Sequence, residues 1–406
     1  MIKDLTPVSR FLEEYAVLPQ RLDVMKVKTV NAAGYYLAED VYVPSDLPGF
    51  FKSRVDGYAV NSRDIENASR SNPVELELVG EVRMGEVVTE VMKPGQCVYV
   101  PTGGMMPPGS DAAVKIEDTE KTTRGTIRFF ESIKRFENTV RKDEDYRAGD
   151  LLLKAGTLLS SHKIMGLFYA GIEEVTVYRK ARVAVMSTGD EIIEPFQKPG
   201  PAQARDSSSY SIVLMLREKG FDAERLGIVK DDPEAFKKTI LDVWEKFDVF
   251  LVCGGSSAGK KDFTKGVFEE LGKPGVLVHG VRMKPGKPLI FAMANGKVLI
   301  GLPGHPVSSY VTARILALPV LVHISGGVYH HNPDAKVIAA EDIPSEKERE
   351  EYVRVRLIWK NDRIFAQPIL GTSSIISTVV NSHGLVRVPA GVDRIPEGSE
   401  LDFFRW

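Results

Sequence analysis

Between Ala181 and Ile324 the chain alternates short apolar runs with amphipathic stretches, and this alternation restricts the fold more than any other feature. VAVMSTG, from Val183, reads as a strand. Asp206 to Gly220 reads as a helix with Asp206 or Ser207 as its N-cap and Gly220 as its stop. ERLGIV is again strand-like. Pro233 to Phe247 places Phe236, Ile240, Val243, Trp244 and Phe247 at helical spacing, with Pro233 near the first helical position. DVFLVCGG is a continuous apolar strand, after which Asp262 opens a helix carrying Phe263, Val267, Phe268 and Leu271. PLIFAMANGKVLIGLPG holds Asn295-Gly296, a two-residue hairpin signal, and an apolar helix follows from about Pro306 to Ile324. Strand and helix in alternation predict a doubly wound, mostly parallel α/β sheet covered on both faces.

The flanks have a different rhythm. Val353, Val355 and Leu357 alternate with Arg354 and Arg356, Asn361-Asp362 marks a turn, and RIFAQPIL, LVRVP and ELDFF keep the period of two, as in a small β-barrel-like domain. VELELVGEV, QCVYVPTGG, AAVKIEDTE and TIRFF read as a second β module inserted into a mixed N-terminal domain. The expected division is 1–46 with 139–178, 47–138, 179–327 and 328–406. With 43% hydrophobic residues in a chain of 406, several cores of this kind can be filled. The formal net charge of −2 offers no global field for nucleic acid or an anionic membrane, so any anion site is local. Cys97 and Cys253 are the only cysteines and form no CxxC pair, which excludes a disulfide framework and a thiolate zinc site and suggests a reducing, cytoplasmic setting. The N-terminus lacks an apolar signal core, and no run is read as reaching the ~18–20 residues of a bilayer span.

In a doubly wound sheet, ligands bind beyond the carboxyl ends of the strands. Four glycine-bearing loops fall there: Thr188-Gly189-Asp190-Glu191, Gly254-Gly255-Ser256-Ser257-Ala258-Gly259, Lys284-Pro285-Gly286-Lys287-Pro288 and Leu302-Pro303-Gly304-His305-Pro306. Glycines let backbone N–H groups approach a phosphate, and helices opening nearby add the positive ends of their dipoles. Asp190, Glu191, Asp231 and Asp262 lie on the same edge, where carboxylates beside a phosphate cradle call for a bridging cation such as Mg²⁺. Asp206 and Asp262 also suit helix capping. Lys284 and Lys287 flank a Pro-Gly kink and can direct positive charge into one anion pocket or lie in a solvated turn. His305 suits a structural turn better than a general base, and Cys253 suits a small buried hydrophobe. Lipase, zincin, P-loop and dinucleotide-binding motifs are absent.

Seven ordered strings, SRVDGYAV from Ser53, PTGGMMPPGSDAAVKIEDTE from Pro101, RKDEDYRAGDLLLKAGTLL from Arg141, VMSTGDEI from Val185, GGSSAGKKDFT from Gly254, MKPGKP from Met283 and GLPGHPVSSY from Gly301, closely resemble the molybdopterin molybdenumtransferase (MoeA) family, relatives of the gephyrin E domain. His305 stands where that family usually has Asn. The resemblance implies four domains and an elongated homodimer whose cleft lies between the sheet domain of one chain and the N-terminal modules of the other. It implies that adenylylated molybdopterin binds with molybdate or tungstate and Mg²⁺, that the oxyanion is ligated by the dithiolene, and that AMP is released. By motif position, Asp56, Asp145, Glu191, Asp231 and Asp262 are the implied catalytic acids, the last three holding the metal. Thr102, Gly103, Thr188, Gly189, Asp190, Gly254, Gly255, Ser256, Lys284, Lys287, Pro303, Gly304 and Pro306 are the implied substrate contacts. The implied partners are a molybdopterin adenylyltransferase and molybdoenzyme or tungstoenzyme apoproteins, with no nucleic acid and no membrane. Two alternatives stay open: the adenylyltransferase reaction that makes the substrate, and a non-catalytic scaffold of the gephyrin type.

Overall fold

A computed structural model describes residues 4–255 and 263–406. The chain forms two compact units, one of Asp40–Lys154 with Ser161–Glu174, the other of the N-terminal stretch to Glu39 with Ala155–Ser160 and Val175–Trp406.

The smaller unit holds a six-stranded sheet of β1 (Gly57–Val60), β2 (Val74–Glu81), β3 (Gln96–Val100), β4 (Ala112–Lys115), β5 (Thr119–Lys121) and β6 (Thr126–Phe129), in the order β4-β1-β3-β2-β6-β5. One face packs Tyr58, Val60, Leu76, Cys97, Ile127 and Phe129 together. Strand β1, buried along its whole length, was not anticipated as a strand: four residues including a glycine carry no readable alternation. A Cβ at Gly57 would overlap the Val114 carbonyl, so only glycine lets β1 lie this close to β4. Helix α1 (Ser161–Tyr169) buries Ile164 and Leu167 and leaves Met165, Phe168 and Tyr169 exposed.

The larger unit is built on β7 (Arg182–Thr188), α2 (Ser208–Glu218), β8 (Asp222–Val229), α3 (Pro233–Asp242), β9 (Val249–Cys253), α4 (Phe263–Glu270), β10 (Pro274–His279), β11 (Met283–Lys284), β12 (Ile290–Ala294), β13 (Lys297–Leu302) and the long helix α5 (Pro306–Ile324). Its main sheet has the order β8-β7-β9-β13-β12-β10, parallel from β8 to β13 and antiparallel beyond. Asn295 and Gly296 both take positive φ, as a tight hairpin between β12 and β13 requires. Alternate residues of the central strands face opposite cores. Val183, Val185, Leu251 and Ile300 pack on the side of α2 and α5, while Ala184, Met186, Phe250, Val252 and Leu299 pack with Phe236 and Phe268. Two covered faces explain why these strands read as unbroken apolar runs.

Two expectations are corrected. The helix from Pro233 ends at Asp242 rather than Phe247, because Val243 leaves helical geometry; this brings Trp244 into a stack on Phe250 at 5.4 Å and Phe247 edge-on to the same ring. Helix α5 contradicts the reading that no run reaches membrane-spanning length: at 19 residues it is long and apolar enough by length and composition, but it is mostly buried inside the protein. Its apolarity reflects a place in the core.

After α5 come β14 (Ala335–Ala339), β15 (Glu350–Lys360), β16 (Arg363–Pro368), β17 (Gly384–Val388) and β18 (Glu400–Arg405). These close in the order β15-β16-β14-β18-β17 and back to β15, a five-stranded barrel filled by Val337, Val353, Val355, Ala366, Val386 and Phe403. Closure leaves few free strand edges. Short β11 adds to β15 in parallel, joining the loop after β10 to the barrel.

Candidate functional site

The parallel strands β8, β7, β9 and β13 deliver their carboxyl ends to one edge, and hydrogen bonds stitch the departing loops together. The Gly189 N–H donates to the Val229 carbonyl at 3.2 Å, the Asp231 N–H to Asp190 Oδ1 at 3.3 Å, and the Gly254 N–H to the Leu302 carbonyl at 3.2 Å. Gly254 has φ +103°, and a Cβ there would stand 2.6 Å from the Thr188 carbonyl oxygen. Gly304 comes close enough that its own Cβ would sit 3.8 Å from the Gly254 Cα. Glycine at 254 is therefore a condition for the loops to meet, while Gly304 lies in ordinary contact beside it.

They meet around a cleft of about 1400 Å³. Thr188, Gly189, Glu191, Asp231, Gly254, Gly255, Lys284, Lys287, Pro303, Gly304, His305 and Pro306 all line it. Asp190 does not; its carboxylate turns to the Asp231 backbone. Ser256 and Asp262 lie outside the described residues. Among the described residues the Thr188 and Thr264 hydroxyls are buried without a hydrogen-bond partner, and a Cβ at Gly255 would run into the Thr264 hydroxyl. Of the two, only Thr188 lines the cleft, where an unmatched hydroxyl suits a polar ligand.

Asp206 also lines the cleft, almost wholly buried, and it combines capping with a second task. Its carboxylate accepts the Ser209 N–H at 3.1 Å, in the first turn of α2, and also the Ser187 hydroxyl at 2.8 Å and Arg225 Nη2 at 2.9 Å. Arg225 continues to Glu194 at 3.0 Å, pinning the far side of the TGDE loop. Burial pushes the Cys253 thiol far above the usual cysteine range, so this residue at the end of β9 is neutral and hydrophobic in character.

The opposite wall carries none of the motif residues. It comes from the barrel, with Glu346, Arg349, Glu351, Arg354, Leu370 and Ser373. The EKEREE run at 346–351 was the available signal, but dense charge reads equally as a solvated edge. Lys284 spans from the β10–β12 connection to this wall, its Nζ 3.1 Å from both Glu346 Oε1 and Glu351 Oε1, so it is neither in a solvated turn nor free. His305 also reaches across, with Nδ1 3.2 Å from the Ser373 Oγ.

The remaining candidates sit in the smaller unit. Asp56 Oδ1 accepts the Thr102 N–H at 2.8 Å, and the Gly103 N–H donates to the Ser53 carbonyl at 2.9 Å, so the SRVDGYAV and PTGG motifs form one fixed corner. Asp145 is exposed, its N–H donating to the Leu47 carbonyl at 3.0 Å. Among the described residues, no group of three or more His, Cys, Asp or Glu is gathered for a metal ion.

Three family models match in order: the MoeA N-terminal region (domain I and II) over residues 6–171, a "Probable molybdopterin binding domain" over 184–323, and the MoeA C-terminal region (domain IV) over 336–406. A molybdopterin molybdenumtransferase of Nostoc sp. is 33% identical over 395 residues, covering 95% of this chain and 89% of its own. One of Synechococcus elongatus is 30% identical over 401 residues, 97% of each chain. Two crystal structures of a molybdopterin biosynthesis MoeA protein from Pyrococcus horikoshii superpose with TM-scores of 0.79 and 0.83, at 31% and 26% identity, each covering 99% of this chain and 99% and 100% of its own. Matches that run from the N-terminal modules through the cleft-bearing sheet to the barrel establish that this chain belongs to the molybdopterin molybdenumtransferase (MoeA) family.

Proposed function

We propose that this protein is the enzyme that completes the molybdenum cofactor, taking adenylylated molybdopterin and molybdate or tungstate and releasing AMP. The observation that supports this most is the convergence of four glycine loops, Glu191, Asp231 and Lys287 on one cleft. Cleaving the anhydride adds one water across the P–O–P bridge, leaving a phosphate monoester on the pterin and AMP as leaving group. The N–H groups of Gly255 and Gly304 bind phosphoryl oxygens, and Lys287 offsets their charge. The donor set fits Mg²⁺, which takes one or two carboxylates and completes its shell with water and phosphate oxygens. Glu191 and Asp231 are the described carboxylates that would hold it, with Asp262 as the third of the set. When bound, the ion neutralises charge on the bridging oxygens.

The same proposal includes a division into 1–46 with 139–178, 47–138, 179–327 and 328–406, and a homodimer in which Asp56, Thr102, Gly103 and Asp145 of one chain complete the cleft of the other. The exposed Met165, Phe168 and Tyr169 on α1 support a surface that a second copy covers. Two buried, unpaired cysteines support a cytoplasmic setting, where the adenylyltransferase and the acceptor apoproteins would be the partners. The test is incubation of the purified chain with adenylylated molybdopterin, Mg²⁺ and either oxyanion. AMP release above a protein-free control is expected. A folded protein that releases none, or that instead makes adenylylated molybdopterin from ATP, overturns the reading.

A further inference from the structure

The two lysines of the MKPGKP motif have different surroundings. Lys284 lies on β11, in register with Glu351 on β15, so the two side chains start as cross-strand neighbours. Its ammonium is shared by Glu351 and Glu346, each at 3.1 Å. Both carboxylates are themselves held: the Ser345 hydroxyl donates to Glu351 Oε2 at 3.0 Å, and Arg349 bonds to Glu346. The Glu351 side chain is only 10% exposed, whereas that of Lys284 is 36% exposed and within reach of solvent ions. Lys287 forms no ion pair among the described residues, although it lines the same cleft.

We propose that Glu346 and Glu351 determine which anions the cleft accepts, by holding Lys284 against the barrel so that a lone inorganic oxyanion must displace two carboxylates to reach it. A small dianion gains one ammonium by that exchange while drawing close to two like charges. A ligand that fills the cleft and engages the glycine loops as well has other contacts to offset the exchange. The inference rests on the cleft being an anion site but not on the transferase reaction.

The probe is inorganic tungstate or sulfate, titrated calorimetrically into the full-length, ligand-free protein at low and high salt. Glu346→Gln is the principal variant, since Glu346 is the more exposed of the two; Glu351→Gln is the second, and each is checked by its thermal midpoint. Either replacement is expected to tighten oxyanion binding ~10-fold at low salt, with the gain shrinking as salt rises. In a Lys284→Met background the gain should vanish, because no lysine remains to be released. A gain that survives Lys284→Met reflects bare repulsion and overturns the proposal. So does unchanged or absent oxyanion binding in folded Glu346→Gln protein. Since binding is read directly, a chain that releases AMP yet shows no gain loses this inference and keeps the function; one that shows the gain but releases no AMP does the reverse.

Discussion

Asp206 can be read from the sequence as a helix cap, yet it is also one half of a buried ion pair. Its side chain is 1% exposed and its partner Arg225 14%. Replacing Arg225 with Met strands a buried carboxylate, and the expected loss is roughly 3–5 kcal/mol in denaturant unfolding, largely recovered by adding Asp206→Asn. Glu191 gives the opposite pattern. It is exposed at the cleft, so Glu191→Gln should change stability by less than about 0.5 kcal/mol while abolishing Mg²⁺-dependent AMP release. A fully active Glu191→Gln enzyme removes that residue from the metal set. Lys287→Ala should weaken phosphate-bearing ligands by about 1.5–3 kcal/mol in a salt-dependent way, as loss of a charged hydrogen bond would. Salt-independent or unchanged binding returns Lys287 to the solvent.

At the scale of elements, the loops and the barrel each depend on local geometry. Gly254→Ala puts a methyl 2.6 Å from the Thr188 carbonyl oxygen at φ +103°, so it should cost about 1–3 kcal/mol and disrupt ligand binding together. The barrel carries its own titration. His331 Nε2 lies 2.9 Å from the Tyr352 hydroxyl, the ring stacks on Phe404 at 4.8 Å, and Nδ1 is buried without a partner among the described residues. Burial, with Arg387 and Arg314 nearby, pushes this imidazole down to about 4. The unfolded chain therefore takes up the proton first. Stability should fall as pH drops from about 6.5 to 4 and level off below, by on the order of 2 kcal/mol once partial exposure is discounted. Thermal midpoints of wild type and His331→Gln across that range should differ in slope; parallel curves contradict the assignment.

For the whole molecule, the decisive question is whether the cleft is shared between chains. Asp56→Ala and Glu191→Ala chains, each inactive alone, can be unfolded together in equal amounts and refolded. Random pairing makes about half the dimers mixed, and in each of these one cleft of the two-fold pair collects both lesions while the other is intact. About a quarter of all clefts should then recover AMP release, whereas clefts confined to single chains recover none.

Much of this was legible because it is local. Apolar runs doubly buried in β7, β9 and β13, the Asn295-Gly296 turn and the glycine-bearing loops at the strand ends each follow from the preferences of a few adjacent residues. The motifs accordingly located one edge of the cleft. Its other wall was not legible, since the charges of 346–351 acquire meaning only when β11 pairs with β15, 67 residues away in sequence, and sets Lys284 opposite Glu351. Asp206 and Arg225 likewise meet only because β8 lies beside β7, and the stack of Trp244 on Phe250 forms only because the helix stops at Val243. The sequence by itself determined the strands and helices of the central sheet, though not strand β1 or the end of the helix from Pro233, together with the glycines and acids that follow the strands. Tertiary structure alone decided which charges face each other across the cleft, because pairing energies between distant residues depend on separations that only strand register and packing fix.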